Sequence, residues 1–101
     1  MKNSLIEFEK LEINLNDFVI HKKSENHYLI LNMNNEDKNL YEIKGSSTMI
    51  FDFYYSKLKS LDNIIENMMN KFKITEEQLS SDVHHFINDL KKNKILIKRE
   101  E

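Results

Sequence analysis

The sequence predicts an α+β domain in which a three-stranded antiparallel sheet is followed by three helices. The apolar residues predict this order, because they fall in short clusters rich in β-forming residues before Gly45 and at helical spacing after it. A chain of 101 residues has room for one hydrophobic core. We therefore expect one domain at residues 18–97, a charged tail at residues 98–101, and an N-terminal extension at residues 1–17 that adds a strand or remains mobile.

Three segments have the apolar pattern of half-buried strands, namely residues 18–23, 28–33 and 39–43. Phe18 and Ile20 share one face of the first segment. In the second segment, one face is shared by Leu29, Leu31 and Met33. Residues 24–26 suit a tight hairpin turn, and the polar residues 34–37 predict a second turn. The segments therefore form a three-stranded meander.

Each of the three helices has a start signal. Ser46 or Ser47 can cap the first helix and Ser60 the second, while Thr75 and Gln78 form a capping box at the third. The side chains expected to line the buried faces share helical spacing. They are Met49, Ile50, Phe51, Phe53 and Tyr54, then Leu61, Ile64, Ile65, Met68, Met69 and Phe72, then Leu79, Val83, Phe86, Ile87 and Leu90.

The backbone between and after the helices has three predicted features. Gly45, the only glycine, lies between the last strand and the first helix, where a residue without a Cβ can adopt a conformation that others avoid. Asn93 predicts a left-handed end to the third helix. Residues 95–97 are expected to return to the core as a short extended tail.

Composition excludes several classes of function. The chain has no cysteine, which excludes disulfides and thiolate chemistry, and one glycine, which excludes a glycine-rich phosphate loop. A formal net charge of −2 gives no overall attraction to nucleic acid. No apolar run reaches the roughly 18 residues of a membrane span, and the N-terminal residues lack a signal-peptide pattern. We expect a cytoplasmic protein that does not enter the membrane.

The titratable residues form no catalytic or metal-binding pattern. His21 and His27 flank the first hairpin, whereas His84 and His85 are adjacent on the third helix and point about 100° apart. The acidic pair at residues 76–77 lies in the first helical turn, where the helix dipole explains it. We therefore expect no enzymatic activity, no cofactor and no metal.

A small sheet, three helices and an extended tail outline a winged helix-turn-helix, an architecture that binds either DNA or protein. Within residues 40–96, the segments LYEIKGSSTMIFDFYY, LDNIIENMMNKF and SSDVHHFINDLKKNKIL resemble the PqqD family, also called the RiPP precursor peptide recognition element. The family's closing motif is Asp-Val-x-x-Phe-Leu-x-x-Leu followed by Gly-Leu-Leu. Its counterparts here are Asp82, Val83, Phe86, Ile87, Leu90, Lys94, Ile95 and Leu96. Three residues depart from the family pattern. Lys44 replaces the Asn that ends the family's last strand, Phe51 replaces the Trp of the first helix, and Lys94 replaces the Gly of the closing motif.

The resemblance implies a non-catalytic module that binds the leader of a ribosomally synthesised precursor peptide. The leader would add to the third strand, a recognition mode that open sheet edges support. Like a chaperone, the module would deliver the peptide to a separate modifying enzyme, a radical-SAM enzyme or a leader peptidase. The expected contacts come from the third strand and one flank of the third helix. They are Asn39, Leu40, Tyr41, Glu42, Ile43, Asp82, His85, Phe86 and Asp89.

Two other functions stay open at this point. A winged-helix DNA-binding regulator would need basic residues on the exposed face of the third helix, where residues 76–77, Asp82 and Asp89 are acidic. A small dimeric scaffold is the other, because an open strand edge can pair with a copy of itself to form a homodimer.

Overall fold

The computed structural model of the chain describes residues 2–33 and 40–99. The α+β class is confirmed, as is the three-stranded antiparallel sheet with helices after it. The elements in chain order are α1 (Lys2–Glu9), β1 (Leu11–Ile13), β2 (Phe18–Ser24), β3 (His27–Asn32), β4 (Leu40–Lys44), α2 (Ser47–Ser56), α3 (Leu61–Phe72), α4 (Glu76–Lys92) and β5 (Leu96–Lys98).

The sheet has the strand order β2-β3-β4, with antiparallel pairing throughout. The predicted hairpin is confirmed: β2 and β3 are joined at residues 25–26, and the backbone N–H of Asn26 donates to the Ser24 hydroxyl at 3.3 Å. This bond is the local stabilisation expected of a serine turn. The predicted turn at residues 34–37 lies outside the described residues.

The face of β3 that packs on the core carries Tyr28 and Ile30, both fully buried. The face that holds Leu29, Leu31 and Met33 is therefore the outer one, and Leu31 and Met33 are 44% and 55% exposed. Both faces of this strand are apolar, so its sequence pattern does not distinguish inside from outside. On the outer face the cross-strand register aligns three exposed apolar side chains, Val19, Leu31 and Leu40.

Two of the three predicted helix caps are present. The Ser60 hydroxyl accepts from the N–H of Asn63 at 3.2 Å, and the Thr75 hydroxyl accepts from the N–H of Gln78 at 3.2 Å. The prediction for α2 is wrong, because Ser46 at its N-terminus has helical backbone angles and makes no side-chain cap bond. Gly45 precedes it with φ +70°, which confirms that a residue without a Cβ is favoured there.

The core lies between the inner face of the sheet and the three helices that follow it. Its fully buried side chains, each less than 2% exposed, include Tyr28, Ile30, Phe51, Leu61, Val83, Ile87, Leu90, Ile95 and Leu96. Phe72 departs from its prediction, since it lies at the last position of α3 and is 46% exposed. Phe86 is half-buried against the core.

The two ends of the described chain pair with each other. β1 and β5 form a separate antiparallel pair from Leu11↔Lys98 to Ile13↔Leu96. Leu96 is buried, so the predicted return of the extended tail onto the core is confirmed. α1 and β1 pack on the same core, and the Tyr54 hydroxyl donates to the backbone oxygen of Phe8 at 2.9 Å.

The left-handed residue at the end of α4 is Lys94, with φ +62°, and not Asn93, whose φ is −86°. A side chain in this conformation costs about 1 kcal/mol that glycine avoids. We expect Lys94→Gly to raise the free energy of unfolding by roughly 0.5–1 kcal/mol in urea denaturation. The control Lys91→Gly, inside the last turn of the helix, should lower it by about 1 kcal/mol. A loss of stability in Lys94→Gly would contradict this reading of the helix end.

Candidate functional site

A groove separates the open edge of β4 from α4. Within the part of the chain that the structure describes, β4 pairs only with β3, so its other edge is open. The Tyr41 hydroxyl on β4 donates to the Asp89 carboxylate on α4 and spans the groove. Asp82, two helical turns before Asp89, lies near Ser46 at the opposite end of β4. The strand and the helix therefore run side by side in opposite directions.

Beyond the Tyr41–Asp89 bond, the groove widens into a cavity of about 410 Å³. Its polar lining residues come from the N-terminal end of α2, including the residue before it, and from one flank of α4. They are Ser46, Ser47, Asp82 and His85. Its apolar lining residues come from all three helices and from the loop before α4. They are Ile50, Met68, Phe72, Ile74, Leu79 and Phe86. Such a cavity suits a large apolar side chain with a polar neighbour.

The backbone of β4 alternates between the sheet and the open edge. The N–H of Gly45 donates to the backbone oxygen of Asn26 at 3.1 Å, so the backbone groups of Gly45 point toward the β2–β3 hairpin. Because backbone groups in an antiparallel strand change sides at each residue, the N–H and C=O groups of Tyr41 and Ile43 also point toward β3. The N–H and C=O groups of the intervening residues then point outward. Those residues are Leu40, Glu42 and Lys44.

The structure brings most of the predicted contact residues to this groove. Asp82 and His85 are exposed and Phe86 is half-buried where they line the cavity. On the strand, Leu40 and Glu42 are exposed, Tyr41 is half-buried and Ile43 is buried. Asn39 lies outside the described residues.

Sequence reasoning missed the part of the cavity that comes from the end of α3 and the loop after it. Phe72 was assigned to the core face of α3, and Ile74 was not considered, yet both line the cavity. The position of Phe72 could have indicated that its side chain lies outside the core. It is the last residue of its helix, and Lys73 follows with φ +51°. A large apolar side chain at a helix end often lies beyond the core that its periodicity suggests.

Side chains of β4 make polar contacts on both faces of the sheet. On the outer face, Glu42 Oε2 lies 2.8 Å from His27 Nε2 and 3.2 Å from Lys44 Nζ. The hydrogen bond from His27, followed by that from Lys44, lowers the pKa of the Glu42 carboxyl below its usual value. On the inner face, burial raises the pKa of the Tyr41 hydroxyl, and Asp89 raises it further. Tyr41 therefore stays a neutral donor to Asp89 at physiological pH.

Other kinds of site are not evident within residues 2–33 and 40–99. None of the helices in these ranges has the length and apolar character needed to span a membrane. The same residues bring no three His, Cys, Asp or Glu side chains together where they could hold a metal ion.

A larger cavity, of about 630 Å³, lies at the other edge of the sheet beside β2. Four of its lining side chains are large, apolar and exposed, namely Leu15, Val19, Met33 and Tyr55. The charged residues in its lining are Glu12 and Lys57. Volume alone does not identify a functional site.

Comparison with known proteins gives one match. The family model described as "Coenzyme PQQ synthesis protein D (PqqD)" matches residues 30–96, which is about two thirds of the chain. No curated protein and no solved structure matches the sequence. The matched range includes β4 and all three helices that line the 410 Å³ cavity.

Proposed function

Because the chain belongs to the PqqD family, whose members are peptide-binding partners of modifying enzymes, we propose that it binds the leader of a precursor peptide in the groove beside β4. The leader adds to β4 as a further strand of the sheet, within a winged helix-turn-helix-like arrangement. The protein then presents the peptide to a separate enzyme, a radical-SAM enzyme or a leader peptidase. Its own role is that of a non-catalytic chaperone.

The observation that carries this proposal is an open strand edge next to an apolar cavity. Outward backbone groups at Leu40, Glu42 and Lys44 offer hydrogen bonds to any extended segment, whatever its sequence. Alternate side chains of such a segment point to opposite faces of the sheet. Those on the inner face enter the cavity lined by Phe72 and Phe86, and those on the outer face lie beside Leu40. Backbone bonds supply register and the cavity supplies specificity.

The range of the family match supports this groove over the larger cavity beside β2. Every residue that lines the 410 Å³ cavity lies within residues 30–96. Most of the larger cavity is built from residues 12–20, which precede the match. A function shared by the family is therefore better placed in the groove between β4 and α4.

Calorimetric titration with synthetic leader peptides, encoded by short reading frames beside the gene, tests the proposal. We expect submicromolar binding by the natural chain and at least tenfold weaker binding by Phe86→Ala. The leader side chain that fills the cavity, here called the anchor, then loses roughly 1.5–3 kcal/mol of apolar contact with the protein. The matched control is Phe53→Ala, which removes another half-buried phenylalanine that lies outside the cavity lining. Equal weakening by both variants, or no binding by any folded sample, would contradict the proposal.

A second candidate function is self-association as a small dimeric scaffold. The exposed apolar residues of the cavity beside β2 favour it, because large apolar patches on a small domain mark interaction surfaces. Sedimentation velocity over a range of concentrations separates the cases: a mass that doubles with concentration and returns to the monomer in Val19→Lys supports the dimer.

The DNA-binding alternative is disfavoured by the acidic side chains Asp82 and Asp89, exposed on α4. A salt-dependent shift of duplex DNA would revive it.

A further inference from the structure

We propose that the leader read by this groove is cationic, with a lysine or arginine two residues away from the large apolar side chain that fills the cavity. This inference rests on the proposed function and names the class of peptide that the same site selects. It is carried by the charges on the walls of the groove and by their spacing.

The α4 wall of the groove is acidic. Asp82 lies at the rim of the cavity, and Asp89 lies seven residues further along, about 10 Å in the direction of the helix axis. Neither lysine nor arginine occurs among the described residues that line the cavity. The nearest cation on the strand, Lys44, contacts Glu42 on the outer face of the sheet. The inner face of the groove therefore presents two carboxylates on α4, with the imidazole of His85 between them and no lysine or arginine in the cavity lining.

Both carboxylates can accept further hydrogen bonds. Asp82 has no hydrogen bond or ion pair with the described residues. Asp89 accepts a bond from Tyr41, and a carboxylate has about four acceptor positions. A bound peptide displaces water from this wall, which penalises the carboxylates unless the peptide brings donors of opposite charge. A cationic leader offsets that penalty, whereas an acidic leader adds repulsion to it.

The spacing of the site determines where the cation lies in the peptide. The anchor occupies the cavity at the Asp82 end of the groove, and side chains on one face of an extended peptide repeat every 6.6–6.8 Å, about twice the rise per residue. The peptide residue two positions from the anchor therefore lies between Asp82 and Asp89. A long, flexible side chain at that position can reach both carboxylates. An apolar residue and a cation separated by one residue is the expected recognition pattern.

Selection of phage-displayed random dodecapeptides on the immobilised full-length chain tests this pattern. We expect the enriched peptides to carry lysine or arginine two residues from a large apolar residue. The double variant Asp82→Asn with Asp89→Asn keeps the shape of the wall and an acceptor for Tyr41, and it should lose this charge preference. The control, Asp62→Asn with Glu66→Gln, makes the same change in net charge on the exposed side of α3 and should keep the preference.

Titration of an enriched peptide then gives the size of the effect. Replacing its cation by glutamine, or using the double variant, should weaken binding about tenfold at low ionic strength and less in high salt. Peptides that bind the groove with an acidic preference, or with none, would overturn the inference and leave the proposed function intact. Enrichment of no peptide at all by a folded chain would overturn both.

Discussion

Glu42→Pro should weaken leader binding by roughly 30-fold or more while the chain stays folded. The N–H of Glu42 points to the open edge of β4, so proline removes a donor that the sheet itself does not use. The proline ring also obstructs the approach of an added strand. The loss of one hydrogen bond and of the neighbouring contacts that the proline ring obstructs lowers the binding free energy by roughly 2–3 kcal/mol. Calorimetric titration measures the affinity, and circular dichroism reports the fold.

Two variants of the same strand act as controls. Glu42→Ala removes the carboxylate that contacts His27 and Lys44 but keeps the backbone donor, so it should bind the leader nearly as well as the natural chain. Ile43→Pro removes a donor directed at β3 and should destabilise the fold instead of the complex. Equal binding by Glu42→Pro and Glu42→Ala would show that the peptide does not pair with β4.

Phe51→Ala should lower the free energy of unfolding by about 3–5 kcal/mol. The Phe51 side chain is fully buried, and its ring lies edge-on to that of Tyr28 with centroids 4.9 Å apart. Its removal loses apolar burial and leaves a cavity between the sheet and α2. Since a domain of this size is stable by only about 5–15 kcal/mol, the loss is a large fraction of the total. Urea denaturation followed by circular dichroism measures it.

Tyr55→Ala is the matched control for this effect. Tyr55 lies on the same helix and also contacts the Tyr28 ring, with centroids 5.1 Å apart, but it is 44% exposed. We expect it to cost less than about 1.5 kcal/mol, because much of its surface stays in water. If the two variants lost similar stability, the core would not lie between the sheet and α2 as described.

Elements with local signals could be predicted from the sequence. α3 and α4 have capping residues, Ser60 and Thr75, placed directly before runs of apolar residues at helical spacing. The hairpin of β2 and β3 is specified by the polar residues at its turn. These features depend on contacts within a few residues, so no knowledge of the tertiary structure is needed to find them.

Features that depend on distant contacts could not be predicted. The pairing of β1 with β5 joins Leu11 to Lys98, and nothing in either short segment indicates the other. The inner face of β3 was ambiguous because Tyr28 and Ile30 alternate with Leu29 and Leu31, and only packing against the helices distinguishes the two sets. Sequence spacing alone does not determine such choices.

The candidate site could be predicted only in part, because some of its residues are brought together by distant contacts. One flank of α4 follows from helical geometry, so Asp82, His85 and Phe86 could be grouped before their surroundings were known. The part of the cavity formed by Phe72 and Ile74 depends on how α3 packs against α4, which the sequence does not specify.

Hydrogen exchange at single backbone amides, followed by NMR, tests strand addition to β4 most directly. Binding of a leader peptide should slow exchange at the amides of Leu40, Glu42 and Lys44, which point to the open edge. The amides of Tyr41 and Ile43 should change little, because they already donate within the sheet. Slowed exchange at Ile20 and Lys22 on β2, or no new protection on β4 in a saturated complex, would contradict docking of the leader on β4.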